Sequence, residues 1–134
     1  MANALYPKFK QACLSGNVNM TTSDVKAILV DLADYTYSAA HEFLSDVPAA
    51  AREEISAALG SKTLTDGTFD SADPSWPSSA GDPVEAVILV VGDTATPATC
   101  RLAAFYDTGV TGLPLTLNGG NVTGTVNGSG WFSL

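Results

Sequence analysis

The hydrophobic pattern of the chain is centred on the run Val84–Val91, in which one residue of eight is charged. Asp82-Pro83 precedes this run and Gly92-Asp93 follows it. An apolar run of this length, rich in β-branched side chains and bounded by turn residues, is typical of a strand buried on both faces. We therefore predict that the rest of the fold is organised around this strand.

Two further apolar runs predict strands beside the central one. They occupy Asp24–Asp31 and Thr99–Tyr106. A short turn rich in Thr, Pro and Ala joins the second of these runs to the central strand. Because so short a connection reverses the chain direction, we expect these two strands to pair antiparallel.

The segment Arg52–Leu64 has an alternating pattern rather than a continuous apolar run. Ile55, Ala57 and Leu59 fall on one face of a strand. We favour a strand here, although the alanine-rich start of the segment would also suit a helix. Asp66-Gly67 follows and indicates a tight turn of the hairpin type.

Residues 4–15 predict a short helix at the N-terminus. Leu5, Phe9 and Cys13 recur every four residues and form one apolar stripe, with Tyr6 beside it. Gly16 is suited to the position just after a helix end. Residues 1–16 are thus predicted as a helical segment that precedes the β structure.

A second short helix is predicted over Ser38–Asp46, with Ser38 as its N-cap and Glu42 near the position of a capping-box acid. It contains His41, the only histidine of the chain. Neighbouring helix residues do not face each other, so His41 and Glu42 do not form an acid–base pair. We expect His41 to be a surface or helix histidine.

The last third of the chain predicts short strands separated by Gly/Asn turns. They occupy Leu113–Leu117, Val122–Val126 and Trp131–Leu134. This pattern is typical of an antiparallel sandwich or jelly roll. The predicted fold is a single domain over 1–134 that is mainly β, with an antiparallel sandwich over 24–134 and one or two short helices near the N-terminus.

Composition and charge narrow the function classes. The chain has a net charge of −8, and residues 27–134 carry all but one of its 14 carboxylates. An acidic protein repels phosphate backbones, so we expect no nucleic-acid partner. The apolar runs are shorter than a membrane span, and the N-terminus lacks the pattern of a signal peptide. We therefore expect synthesis in a reducing cytoplasm and free thiols at Cys13 and Cys100.

Candidate chemistry is sparse. Asp66, Asp70 and Asp73 could be imagined as calcium ligands, but the loop lacks the spacing and the closing glutamate of an EF-hand. We interpret them as turn-forming or solvated residues. We predict no catalytic residues, no metal ligands and no cofactor, and expect that the protein is not an enzyme. Trp76 and Trp131 are predicted as core residues or interface anchors.

Four segments resemble a group of small virion proteins of tailed bacteriophages: Met1–Lys10, Val25–Leu44, Lys62–Asp70 and Asp107–Gly120. The resemblance covers nearly the whole chain and includes no chemical motif. It implies a structural role in the virion, and head decoration (cement) on the capsid surface is our preferred role. A tail or baseplate subunit is the alternative, and a small carbohydrate-binding module is a third option.

A decoration protein would have the major capsid protein and copies of itself, as a dimer or trimer, for partners. The N-terminal segment carries Lys8 and Lys10 together with Leu5, Tyr6 and Phe9. Aromatic anchors dominate interface energetics, so this segment is a candidate docking arm. The alternative is that its helix covers the protein's own core.

Overall fold

The predicted central strand is buried along its whole length. We describe residues 3–108, 113–124 and 130–133 of a computed structural model of the chain. All six residues of Ala86–Val91 are buried, and the strand lies in the middle of a five-stranded sheet. Its position confirms the prediction from the run Val84–Val91.

The described residues contain ten strands and one α-helix, which we number in chain order. The strands are β1 (Ala4–Leu5), β2 (Val25–Val30), β3 (Arg52–Ile55), β4 (Thr63–Thr65), β5 (Thr68–Asp70), β6 (Ser75–Trp76), β7 (Ala86–Val91), β8 (Arg101–Tyr106), β9 (Val122–Thr123) and β10 (Phe132–Ser133). The helix is α1 (Pro7–Leu14), and two short 3-10 turns occupy Leu44–Asp46 and Ala49–Ala51. None of the helices in these residues is long and apolar enough to cross a membrane.

The strands form three antiparallel sheets. The large sheet has the order β1-β8-β7-β2-β3, and the smaller sheets have the orders β10-β5-β4 and β6-β9. Every strand pair in the described residues is antiparallel, including the predicted pair β7 and β8. The fold is therefore mainly β and sandwich-like with one helix near the N-terminus, as the sequence predicts.

Aromatic contacts join the helix and the smaller sheets to the core. The ring of Phe132 in β10 lies 5.6 Å from that of Phe9 in α1 and 5.6 Å from that of Phe69 in β5. In β6, the indole N–H of Trp76 donates to the carbonyl of Ala27 in β2 at 2.9 Å. The core of the large sheet thus continues under the short strands.

The second predicted helix is wrong. Within Ser38–Asp46 only Leu44–Asp46 is helical, as a 3-10 turn. The residues before it run alongside β8, because the Leu102 N–H donates to the Glu42 carbonyl and the Leu44 N–H donates to the Cys100 carbonyl. These long-range backbone bonds replace the bonds that a helix would have made.

The strand prediction for Arg52–Leu64 is correct at the two ends of the segment, where Arg52–Ile55 forms β3 and Thr63–Leu64 belongs to β4, and wrong for the residues between them. β3 ends at Ile55, which is 38% exposed, and Ser56 is buried instead. The Ser56 hydroxyl accepts a hydrogen bond from the Ala27 N–H and fixes the chain to β2 there. Ile55 and Ala57 are therefore exposed. Of the three residues predicted to share one strand face, only Leu59 is buried.

The remaining predictions divide by region. Asp66 and Gly67 adopt positive φ values of 51° and 80° between β4 and β5, which confirms the hairpin turn. The N-terminal helix begins at Pro7 rather than residue 4, since Ala4–Leu5 pairs with β8. The predicted strand ends at Val126 and Leu134 lie outside the described residues.

Candidate functional site

Tyr6 and Phe9, two of the predicted docking residues, belong to the core. Tyr6 is 0% exposed and Phe9 is 1% exposed. β1 joins the edge of the large sheet, and this pairing turns the next residues inward over β8. Leu5 is half-buried against the same core. In the folded chain both aromatic side chains pack inside the domain, as in the alternative that the helix covers the protein's own core, and the docking arm stays a prediction.

The two predicted tryptophan anchors lie in different surroundings. Trp76 is 3% exposed and hydrogen-bonded to β2, so it is a core residue and presents no surface to a partner. Trp131 is half-buried, its indole N–H donates to the Ser71 hydroxyl, and its ring packs against Tyr106. Both indole N–H groups are satisfied within the chain, and Trp131, which is partly exposed, stays a predicted interface residue.

The outward side of α1 carries the exposed residues of the N-terminal segment. Lys8 is exposed at its flank, and Lys10 and Leu14 lie one turn apart on the side opposite the buried Phe9. Leu14 is 91% exposed. We call Pro7, Lys10, Gln11 and Leu14 the outer helix face. An almost fully exposed leucine beside a lysine gives a partner protein an apolar side chain to bury and a positive charge next to it.

A chain of hydrogen bonds connects the core to His41. The hydroxyls of Tyr6 and Tyr35 lie 2.8 Å apart, and the Tyr35 hydroxyl lies 2.8 Å from Nδ1 of His41. Tyr37 packs its ring 5.0 Å from that of Tyr6. His41 is half-buried and lies in a loop, so of the two predicted settings the helix is wrong and His41 is partly at the surface.

Burial governs the ionisation of this tyrosine pair. It raises the pKa of Tyr6 far above its ordinary value and raises the pKa of Tyr35 to about 12. Both hydroxyls therefore stay protonated at neutral pH, and one of the two donates to the other. Neither tyrosine is activated as a nucleophile or base, and we interpret the chain of hydrogen bonds as structural.

An open apolar hollow of about 450 Å³ lies between α1 and the β4–β5 hairpin. Its walls come from the helix, the following loop and the hairpin: Phe9, Cys13, Val18, Asn19, Met20, Thr21, Leu64, Gly67, Phe69 and Phe132. Leu64 is 52% exposed at its rim. Sequence reasoning missed this hollow because its walls come from segments far apart in the chain.

Three carboxylates approach one another at the edge of β3. Oxygens of Asp31, Glu53 and Asp82 lie within 4.8 Å of one another. Two of the three carboxylates accept backbone hydrogen bonds. Asp31 accepts from the Ala33 N–H, and Glu53 accepts from the Asp82 N–H. Burial raises the pKa of Glu53, with a further rise from the charge of Asp82. Asp66, Asp70 and Asp73, the aspartates weighed as calcium ligands from the sequence, do not belong to this cluster.

Cys13 and Cys100 are both free thiols. Burial raises the pKa of Cys13 and raises that of Cys100 to about 11. A raised pKa suppresses the thiolate, which is the reactive form. Both cysteines therefore act as small hydrophobic residues, Cys100 in the core and Cys13 in the wall of the hollow.

Comparison with known proteins adds no assignment. No protein-family model matches the chain, and no curated protein shows significant similarity to it.

Proposed function

We propose that this protein is a head decoration (cement) protein of a tailed bacteriophage, which binds the outer capsid surface and stabilises the shell. The resemblance of Met1–Lys10, Val25–Leu44, Lys62–Asp70 and Asp107–Gly120 to small virion proteins supports this role. The observation that carries the proposal is the outer helix face. It is an apolar and basic contact point on a strongly acidic chain.

The chemistry of this face defines the partner surface. Burying a leucine side chain contributes roughly 1.5–3 kcal/mol, and Leu14 gains nearly all of this on docking because it is 91% exposed. Lys10 one turn away, and Lys8 at the flank, would face carboxylates around the apolar contact. The partner is therefore a patch of the major capsid protein with an apolar centre and an acidic rim.

Small contacts suffice when many copies bind one shell. A ligand that binds only the assembled particle stabilises it by mass action, by an amount that rises with the logarithm of the ligand concentration above its Kd. If the copies are also linked to one another, avidity strengthens each weak contact. This requirement suits a small, rigid β domain that presents one exposed helix.

Electron cryomicroscopy of virions produced with and without the protein tests its location. We expect its density on the outside of the head, and heads lacking it should lose their DNA at lower temperature or lower salt. Density on the tail or baseplate would support the alternative role and overturn head decoration. Equal heat resistance of the two kinds of head would overturn the cement function.

Adding the purified protein back to heads that lack it tests the docking face. Leu14→Glu should weaken binding by about 1–3 kcal/mol, in the range of an interface hot spot. Lys10→Glu should mainly slow association and change its salt dependence. Ala58→Glu, at an exposed position in another loop, adds the same charge and should bind as the wild type does. Equal binding of all variants would remove α1 from the interface.

A further inference from the structure

The strand β4 is an exposed and uncharged sheet edge. All three of its residues, Thr63, Leu64 and Thr65, are exposed, and β4 is the terminal strand of its sheet. The edge at β3 differs, because its Glu53 and Glu54 side chains accept backbone N–H groups of the 80–82 loop. Proteins commonly protect sheet edges with charges or covering loops, and a bare neutral edge is a template for strand pairing.

The backbone of Leu64 points its hydrogen-bonding groups away from the hairpin. Thr65 and Thr68 close the two-residue turn and form the hydrogen-bonded pair, so the next pair, Leu64 and Phe69, is not hydrogen-bonded. The Phe69 carbonyl accordingly accepts from the Trp131 N–H on the opposite side, at 2.7 Å. By the same alternation, the N–H and C=O of Leu64 face the open edge.

The side chain of Leu64 is also available to a partner. It lies on the same face of the hairpin as the buried Phe69, opposite which it is paired. Yet 52% of Leu64 is exposed at the rim of the apolar hollow. A strand added to β4 would satisfy both backbone groups of Leu64 and cover its side chain in one step.

The sequence of this edge is complementary to itself. In an antiparallel pair of two copies centred on Leu64, each Leu64 lies opposite the partner's Leu64. Lys62, whose Nζ also donates to the carbonyl of Ser23, precedes β4, and the turn residue Asp66 follows it. The antiparallel arrangement therefore brings the Lys62 end of one β4 beside the Asp66 end of the partner's. Opposite charges brought together in this way attract, and the twofold symmetry forms this contact twice.

We propose that two copies of this protein associate through β4, in antiparallel register about Leu64, to form a continuous six-stranded sheet. This inference rests on the edge geometry and does not depend on the virion role. The contact is short, and interfaces below the standard size bind weakly and reversibly. We therefore expect a dimer that forms and dissociates with concentration.

Sedimentation velocity of the purified protein over a wide concentration range is the first test. The wild type should shift from monomer to dimer, and Leu64→Lys should reduce the association constant by about tenfold or more, since two like charges then meet at the axis. Leu14→Lys is the matched control at the other exposed leucine and should dimerise as the wild type does. A wild type that stays monomeric, or a dimer that survives Leu64→Lys, would overturn the proposal.

A charge-reversal cycle tests the register and still reports if Leu64→Lys does not fold. Lys62→Glu and Asp66→Lys should each weaken dimerisation, and the double variant should restore it because both pairs reform with reversed sign. Within one copy Lys62 and Asp66 lie at opposite ends of β4, so their charges come together between copies. Absence of rescue in a folded double variant would exclude this register. A trimer or larger oligomer, or a dimer that forms through another surface, would also count against the proposal.

Discussion

At the scale of single residues, the hydroxyl chain from Tyr6 to His41 shows how burial assigns a role to a polar group. Tyr6 is fully buried, and its only side-chain hydrogen bond in the described residues is to Tyr35. Tyr35 has a second partner in His41. Removal of the Tyr35 hydroxyl therefore leaves the buried Tyr6 hydroxyl without this partner. Removal of the Tyr6 hydroxyl leaves Tyr35 bonded to His41.

This inequality predicts an order of destabilisation. Tyr35→Phe should cost about 1–3 kcal/mol, the penalty for a buried polar group left without a partner. Tyr6→Phe should cost less, because Tyr35 keeps its bond to His41. Tyr37→Phe is the control, since its ring packs on Tyr6 and Phe105. Urea unfolding of the three variants gives the order, and equal losses at Tyr35 and Tyr37 would contradict it.

Asp46 predicts a pH dependence of stability. The Asp46 carboxylate accepts a hydrogen bond from the N–H of Glu42 at 2.8 Å, and this bond lowers the pKa of Asp46 below its ordinary value. The Phe43 N–H and the charge of His41 lower the pKa of Asp46 further. A carboxylate with a depressed folded-state pKa stabilises the fold above the unfolded-state pKa of about 4, and this stability is lost as pH falls through the folded-state value. Asp46→Asn should therefore be less stable than the wild type at neutral pH, and this difference in free energy of unfolding should shrink as the pH falls. Urea unfolding at a series of acidic pH values measures the difference. A constant deficit would show that the charge has no role.

At the scale of elements, prediction succeeded where local pattern and long-range pairing agree. The runs containing β2, β7 and β8 are apolar, and their antiparallel pairing confirms them. The helix predicted over Ser38–Asp46 failed because β8 offers its backbone groups to that segment. The hollow and the carboxylate cluster were invisible in the sequence, since each joins residues from separate segments and neither forms a local motif.

The row Ile55, Ile28 and Ile88 across β3, β2 and β7 makes a matched test of the sheet. Ile28 pairs with both outer residues, Ile88 is 0% exposed and Ile55 is 38% exposed. Ile88→Ala should cost about 2–5 kcal/mol, because it leaves a cavity in the core. Ile55→Ala should cost under about 1 kcal/mol, since water already reaches that side chain. Thermal unfolding compares the two, and similar losses would contradict the burial of β7 relative to β3.

At the scale of the whole molecule, the two proposed contact surfaces flank the same hollow. α1 supplies Phe9 and Cys13 to its wall, and the β4–β5 hairpin supplies Leu64 and Phe69. The helix presents Leu14 outward, and the hairpin presents its free edge. A dimer formed at β4 would therefore carry two outer helix faces, and two linked contacts bind a repetitive surface more tightly than one.

The N-terminal segment gives the clearest prediction at this scale. Deleting residues 2–10 removes β1, the fully buried Tyr6 and the 1% exposed Phe9, so we expect the remaining chain to unfold. Losing a buried aromatic side chain costs about 3–5 kcal/mol, so losing two removes a large share of the free energy of unfolding of a small domain. Lys8→Glu is the control, since Lys8 is exposed and its charge can change without loss of packing. Circular dichroism and thermal unfolding separate the two variants. A deleted chain that stays folded and loses only its particle binding would support the docking-arm hypothesis for Tyr6 and Phe9.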